Sequence, residues 1–287
     1  MEIAVISGKG GTGKSSITAA FATLEKNVVL VDCDVDAANQ YLIFQPEKTI
    51  EKPYISGFTA KIDYDKCTSC GLCVSYCRFD AISEEKDKVI IDEVSCDGCK
   101  LCSRICPFEA IDMVQENKSR LYGGAFRNGQ MVYGRLSPGE ENSGKLVDMV
   151  REEAKNLQKK YGYEDIILDG PPGIGCPVIS TITGVNKVVI VTEPTLSGLH
   201  DLKRTIEVVN KFKISIFVII NKSDLNEEMA DKIENYCNEL NISVIARIPF
   251  DKLFTEAMVE CKSVIEKEPE ATVSMLIKQA LNLIKNN

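Results

Sequence analysis

Eight consecutive residues restrict the fold of this chain more than any other feature. Gly8-Lys9-Gly10-Gly11-Thr12-Gly13-Lys14-Ser15 fits the pattern G-x-x-x-x-G-K-S/T. The run follows an apolar stretch, residues 2–7, that reads as a buried strand, and it opens a helical stretch, residues 14–25. In that setting the glycines let backbone N–H groups turn inward around phosphate oxygens, and the helix N-terminus adds its dipole. Lys14 is then placed to reach the β- and γ-phosphates and the Ser15 hydroxyl to complete a Mg²⁺ shell, with Gly10, Gly11, Thr12, Gly13 and Ser16 around them. A second strand, residues 28–32, follows the helix. A strand–loop–helix–strand opening predicts an α/β fold, a mostly parallel sheet flanked by helices and joined by right-handed crossovers.

That rhythm stops near residue 58. Of the chain's 12 cysteines, eight fall between residues 67 and 106. Cys67, Cys70, Cys73 and Cys77 fit C-x₂-C-x₂-C-x₃-C, and Cys96, Cys99, Cys102 and Cys106 fit it again, followed by Pro107. The two runs are an internal repeat at an offset of 29 residues, down to the tails Phe79-Asp80-Ala81-Ile82 and Phe108-Glu109-Ala110-Ile111. This is the spacing of bacterial two-cluster ferredoxins, in which the fourth Cys of each run ligates the other cluster. It assigns one 4Fe–4S cluster to Cys67, Cys70, Cys73 and Cys106, and a second to Cys96, Cys99, Cys102 and Cys77. Zinc sites more often show paired C-x₂-C units. One departure stands out: Arg78 follows Cys77 where such ferredoxins usually have proline. Residues 60–116 carry 7 Lys/Arg and 12 Asp/Glu. The resulting −5 suits docking to a basic redox partner, and equally suits plain solubility.

From about residue 145 the α/β alternation resumes to the end of the chain. Asn128-Gly129, between apolar flanks, marks a hairpin near residues 121–136 that returns the chain to the main domain. The expected organisation is therefore a discontinuous nucleotide domain, residues 1–58 and 118–287, with an α+β, ferredoxin-like insertion at 59–117. A net charge of −8 disfavours nucleic acid, a single histidine, His200, leaves little for histidine catalysis, and no apolar run is long enough to span a bilayer. The strand at residues 2–7 leaves no room for a leader, and cysteines patterned for metal point to a reducing cytoplasm.

With Lys9, the loop reads K-G-G-x-G-K-S. It resembles the deviant Walker A motif of the MinD/ParA/Mrp and nitrogenase iron-protein group, P-loop ATPases of the SIMIBI class. The resemblance extends to Asp32-Cys33-Asp34, to Asp169-Gly170-Pro171-Pro172-Gly173, to Asn221-Lys222-Ser223-Asp224, to Pro249, and to residues 136–145 and 169–177. It implies a nucleotide-dependent homodimer in which Lys9 reaches the partner's nucleotide and Asp34 orients the attacking water. It further implies that Asp169 holds Mg²⁺ through water, Gly173 senses the γ-phosphate and Asn221 contacts adenine, with Pro249 closing the base pocket. N-K-x-D also occurs in GTPases, where the aspartate selects guanine. Cys176, seven residues after Asp169, is a candidate for pairing across a dimer. The function expected is ATP hydrolysis coupled to electron transfer toward a partner protein. Two alternatives stand beside it: an Fe–S assembly carrier of Mrp type handing clusters to an acceptor, and a MinD-like redox-sensing switch.

Overall fold

The computed structural model describes residues 1–287 apart from Ser56, Glu116, Gly139 and Glu141. Gly139 and Glu141 belong to the 136–145 run and Glu116 to the insertion, so those three positions lie outside the described residues.

The chain divides into two compact units. The first comprises residues 1–51, 121–135 and 143–287. Its sheet has the strand order Ser243–Ile248, Ser215–Asn221, Lys187–Thr192, Glu2–Ser7, Asp165–Pro172, Val28–Asp32, Gly129–Arg135, Ser119–Phe126, Ile50–Tyr54. Neighbours from Ser243–Ile248 through Gly129–Arg135 pair in parallel. The central strands are unbroken runs of Val, Ile and Leu because both faces are covered. Ile3, Val5, Leu30 and Ile167 join one buried cluster with Ile17 and Phe21 of helix Lys14–Leu24 and with Ile277 and Leu281 of helix Thr272–Asn286. Helices Ser143–Tyr161 and Cys176–Ile182 pack on each other and on the same central strands.

Parallel pairing brings the carboxyl ends of the strands together. Val5 stands opposite Asp169, and Asp169 opposite Asp32. The loop after Glu2–Ser7 therefore lies beside two strand-terminal aspartates, where open α/β sheets bind their ligands.

The second unit comprises residues 52–120 and 136–142. It is wider than the Cys-rich run. Residues 136–142 are tied into it by Ser137 N–H to Ser119 Oγ at 2.8 Å, Lys118 N–H to Glu140 Oε1 at 3.0 Å and Tyr54 O–H to Asn142 O at 2.9 Å. Two antiparallel strand pairs, Phe58–Ile62 with Ile111–Gln115 and Ile82–Glu85 with Lys88–Ile91, accompany two short helices, Leu72–Tyr76 and Leu101–Ile105.

The backbone repeats at the same offset of 29 as the sequence. Left-handed residues come in pairs: Ser69 with Gly98, Gly71 with Lys100, Asp80 with Glu109. Asp63 N–H donates to Ala110 O at 2.8 Å, and Asp92 N–H to Ala81 O at 2.8 Å. The lead of each half is thus bonded to the tail of the other, and the halves are interlocked rather than strung in series.

Candidate functional site

Two sites can be built from these units. In the first unit, Gly10, Gly11, Thr12, Gly13, Lys14, Ser15 and Ser16 line an open cavity of about 620 Å³ together with Asp34. Gly11 and Gly13 take φ of +80° and +88°, the left-handed turn that aims backbone N–H groups inward. A Cβ on Gly13 would stand 2.3 Å from Asn221 Nδ2, so no larger residue fits there.

Behind the loop lies a buried polar knot. Lys14 Nζ donates to Asp169 Oδ1 at 2.7 Å, and Asp169 is fully buried. Thr18 Oγ1 donates to the same oxygen at 3.0 Å, and Gln40 Nε2 donates to Asp169 Oδ2 at 2.9 Å. Asp32 accepts from the backbone N–H of Asp34, Asn39 and Gln40. Burial, then the neighbouring Asp169 charge, pushes the Asp32 carboxyl up to about 7. Burial also raises Asp34, with Asp169 adding to the rise and Lys14 opposing it. For Lys14, burial works against the charge, but Asp169, Asp32 and Asp34 outweigh it and raise its pKa.

The remaining sequence candidates fall around this knot. Gly173 takes φ +94° and its N–H donates to Ser7 O at 2.8 Å, outside the cavity lining. Lys9 also points elsewhere: its Nζ pairs with Glu193 Oε1 at 2.5 Å and donates to Ser197 Oγ at 3.1 Å. Glu193 also meets Lys222 at 3.3 Å, and Lys222 Nζ donates to Gly11 O at 2.9 Å. Burial of Glu193 resists its charge, yet the bonds from the two lysines prevail and hold it below the usual range. Cys176 is exposed at the start of its helix. Sequence reasoning missed Thr18, Gln40 and Glu193. They lie far along the chain from their partners, and no spacing signals them.

Next to this cavity is a second of about 510 Å³, sharing Gly13 and Ser16 and lined further by Asn221, Pro249, Phe250, Phe254 and Met258. Asn221 is buried. Its Nδ2 donates to Thr12 O at 2.8 Å, which fixes the amide orientation, and its Oδ1 has no hydrogen-bond partner. Asp224 Oδ1 accepts from Phe250 N–H at 2.6 Å. Thr12 Oγ1 is likewise buried and unpartnered. Buried polar atoms are rarely left so.

In the second unit the eight repeat cysteines divide into two sets. Cys67, Cys70, Cys73 and Cys106 line one space of about 360 Å³. Cys77, Cys96, Cys99 and Cys102 line another of about 380 Å³. The interlocked halves bring the fourth cysteine of each run to the other run's cavity. Among the described residues, no three His, Cys, Asp or Glu side chains converge as a ready-made site for a single metal ion. Burial pushes the thiols of Cys73 and Cys102 up, at the same repeat position in each half. Among the described residues, no helix is long and apolar enough to cross a membrane.

Comparison with known proteins agrees with the first site. Residues 3–264 match the CobQ/CobB/MinD/ParA nucleotide binding domain. The chain is 39% identical to an uncharacterized protein of Methanocaldococcus jannaschii, over 99% of this chain and 96% of that one. It superposes on the septum site-determining protein MinD of Pyrococcus horikoshii, complexed with Mg-ADP, with a TM-score of 0.58 at 19% identity, covering 99% and 95% of the two chains. A 58-residue stretch, 20% of this chain, is 37% identical to 58% of the pyruvate synthase subunit PorD of Methanothermobacter marburgensis.

Proposed function

The chain belongs to the CobQ/CobB/MinD/ParA nucleotide-binding family, and on that premise we propose that it is a Mg-ATP-hydrolysing iron–sulfur protein that couples nucleotide state to electron transfer. The observation that carries the redox half is the division of eight cysteines, four and four, around two cavities in the crossed pattern that two-cluster ferredoxins require. The cavities and their thiol sets fit two 4Fe–4S clusters, held by Cys67, Cys70, Cys73 and Cys106 and by Cys77, Cys96, Cys99 and Cys102. Such clusters would supply one-electron transfer to a partner protein.

The nucleotide half rests on this chain's own groups. The N–H groups of residues 10–13 would cradle the phosphates. Lys14 would turn from Asp169 toward the β- and γ-phosphates, leaving Asp169 to a hydrated Mg²⁺ beside Ser15. Asp34 is placed on the cavity wall to orient water. Asn221 borders the second cavity with its amide held by Thr12 O, where it would meet the base. Asp224, the residue that would read guanine, accepts Phe250 N–H at one carboxylate oxygen. The family match and the Mg-ADP complex of the superposed MinD favour an adenine nucleotide.

Lys9 now pairs with Glu193 of its own chain. Release of that pair would free it for a partner's nucleotide in an ATP-dependent homodimer. The insertion lies in the chain between Asp34 and Asp169, and the chain passes between the two units at residues 51–52, 120–121, 135–136 and 142–143.

Anaerobic purification tests this reading. About eight irons and eight sulfides per chain are expected. Cys106→Ala should cost about half of that, as should Cys77→Ala, while ATP hydrolysis is lost only in Lys14→Ala. Iron at or near zero, or hydrolysis of GTP in preference to ATP, contradicts it.

A further inference from the structure

The internal repeat supplies its own control, because each residue of one half has a counterpart 29 positions away in the other. Every residue lining the cavity of Cys67, Cys70, Cys73 and Cys106 is uncharged. Three of its positions change character at the cavity of Cys77, Cys96, Cys99 and Cys102. Thr68 becomes Asp97, Gly71 becomes Lys100, and Pro107 becomes Arg78. The second cavity thus has one anion, Asp97, and one cation, Lys100, in its lining, with a second cation, Arg78, between the lining residues Cys77 and Phe79 in the chain.

The cations are held close. The Arg78 guanidinium lies over the Phe79 ring, 5.3 Å from its centroid, and Phe79 lines the cavity. Lys100 lines the cavity itself, with Nζ 3.9 Å from the centroid of the Phe58 ring. Neither is required by the backbone. Cys77, with φ −75° and ψ 106°, matches Cys106, with φ −68° and ψ 113°, and both suit a following proline. Lys100 holds φ +65° where Gly71 holds +72°, a left-handed conformation that costs a lysine more than a glycine.

A cation beside a redox group favours the more negative, reduced form, and does so more strongly where water is scarce. Resting on the two-cluster reading above, we propose that the two centres differ in potential. The one ringed by Cys77, Cys96, Cys99 and Cys102 is the higher and takes its electron first, tuned by Arg78 and Lys100. Each reduction adds one electron, supplied in the test by a mediated electrode, with no bond made or broken. An electron leaving the group at the first cavity enters the group at the second, one for one.

The test is a spectroscopically monitored electrode titration of the full chain, with iron and sulfide assayed on every sample. Wild type should show two one-electron waves. In Arg78→Pro/Lys100→Gly the upper wave should fall toward the lower, and in Gly71→Lys the lower should rise. Waves that stay in place at full iron content, or a lower wave that moves in the Arg78/Lys100 variant, overturn the proposal and leave the cluster reading intact. Wild type without iron overturns both. If the double variant loses iron, Arg78→Gln and Lys100→Gln, which keep the backbone chemistry, decide by the same shift.

Discussion

The tightest constraints act at single residues. Lys14 is surrounded by Asp169, Asp32 and Asp34, and its charge is what lets three carboxyls share one pocket. Removing one partner of a buried pair costs about 3–5 kcal/mol, because the other charge is left uncompensated. Lys14→Met should therefore destabilise the chain by about 3 kcal/mol near pH 8 in chemical denaturation. The loss should be smaller near pH 6, where a carboxyl can take up a proton instead. Asp32 gives the sign of the pH dependence in wild type. Its folded pKa, about 7, lies above the ordinary 3.8. Between those values the folded state holds a proton that the unfolded state has released, so stability falls as pH rises toward 7 and levels off above it. Thermal unfolding across that window should show the decline, and Asp32→Asn should flatten it whatever its own stability. Lys14, Ser15 and Asp169 were legible in the sequence because a fixed spacing or a strand end announces them. Thr18 and Gln40 were not. Both serve Asp169 from more than a hundred residues away, and only the parallel register brings them together.

At the scale of elements, Asn128-Gly129 sits between two strands for reasons other than its turn propensity. The strands Ser119–Phe126 and Gly129–Arg135 are joined by Arg127 and Asn128, and neither takes a positive φ. Asn128 is there because its Nδ2 donates to Thr23 O at 3.1 Å and Glu25 O at 3.2 Å, tying the hairpin to the end of helix Lys14–Leu24. Gly129 is there because a Cβ would stand 2.0 Å from Val28 O. Asn128→Ala should lose about 1–2 kcal/mol for its two hydrogen bonds. Gly129→Ala should lose about as much or more through overpacking, read in the same denaturation series. Helix Gln40–Phe44 and strand Ile50–Tyr54 escaped the sequence because both are short and the residues between them alternate no apolar face. The repeat in the second unit was legible from its cysteines. Its left-handed positions were not, since Ser69 and Lys100 carry no glycine to mark them.

At the scale of the whole molecule, a unit of the nucleotide-binding family and a cysteine-ringed unit share one chain that crosses between them four times. In the proposed homodimer, release of the Lys9–Glu193 pair would set the threshold for dimerisation. Glu193→Gln removes the ionic hold, and exposed pairs of this kind are worth up to about 1 kcal/mol. The variant should dimerise at a several-fold lower ATP or protein concentration in sedimentation velocity. Coupling requires that ATP favour one of two states, and that preference must appear in the redox centres by linkage. The most direct measurement is a potentiometric titration of the anaerobically purified chain with and without saturating Mg-ATP. At least one of the two midpoint potentials should shift with ATP, and Lys14→Ala should abolish the shift while retaining both centres. Two centres whose potentials are the same with and without nucleotide would contradict the coupling.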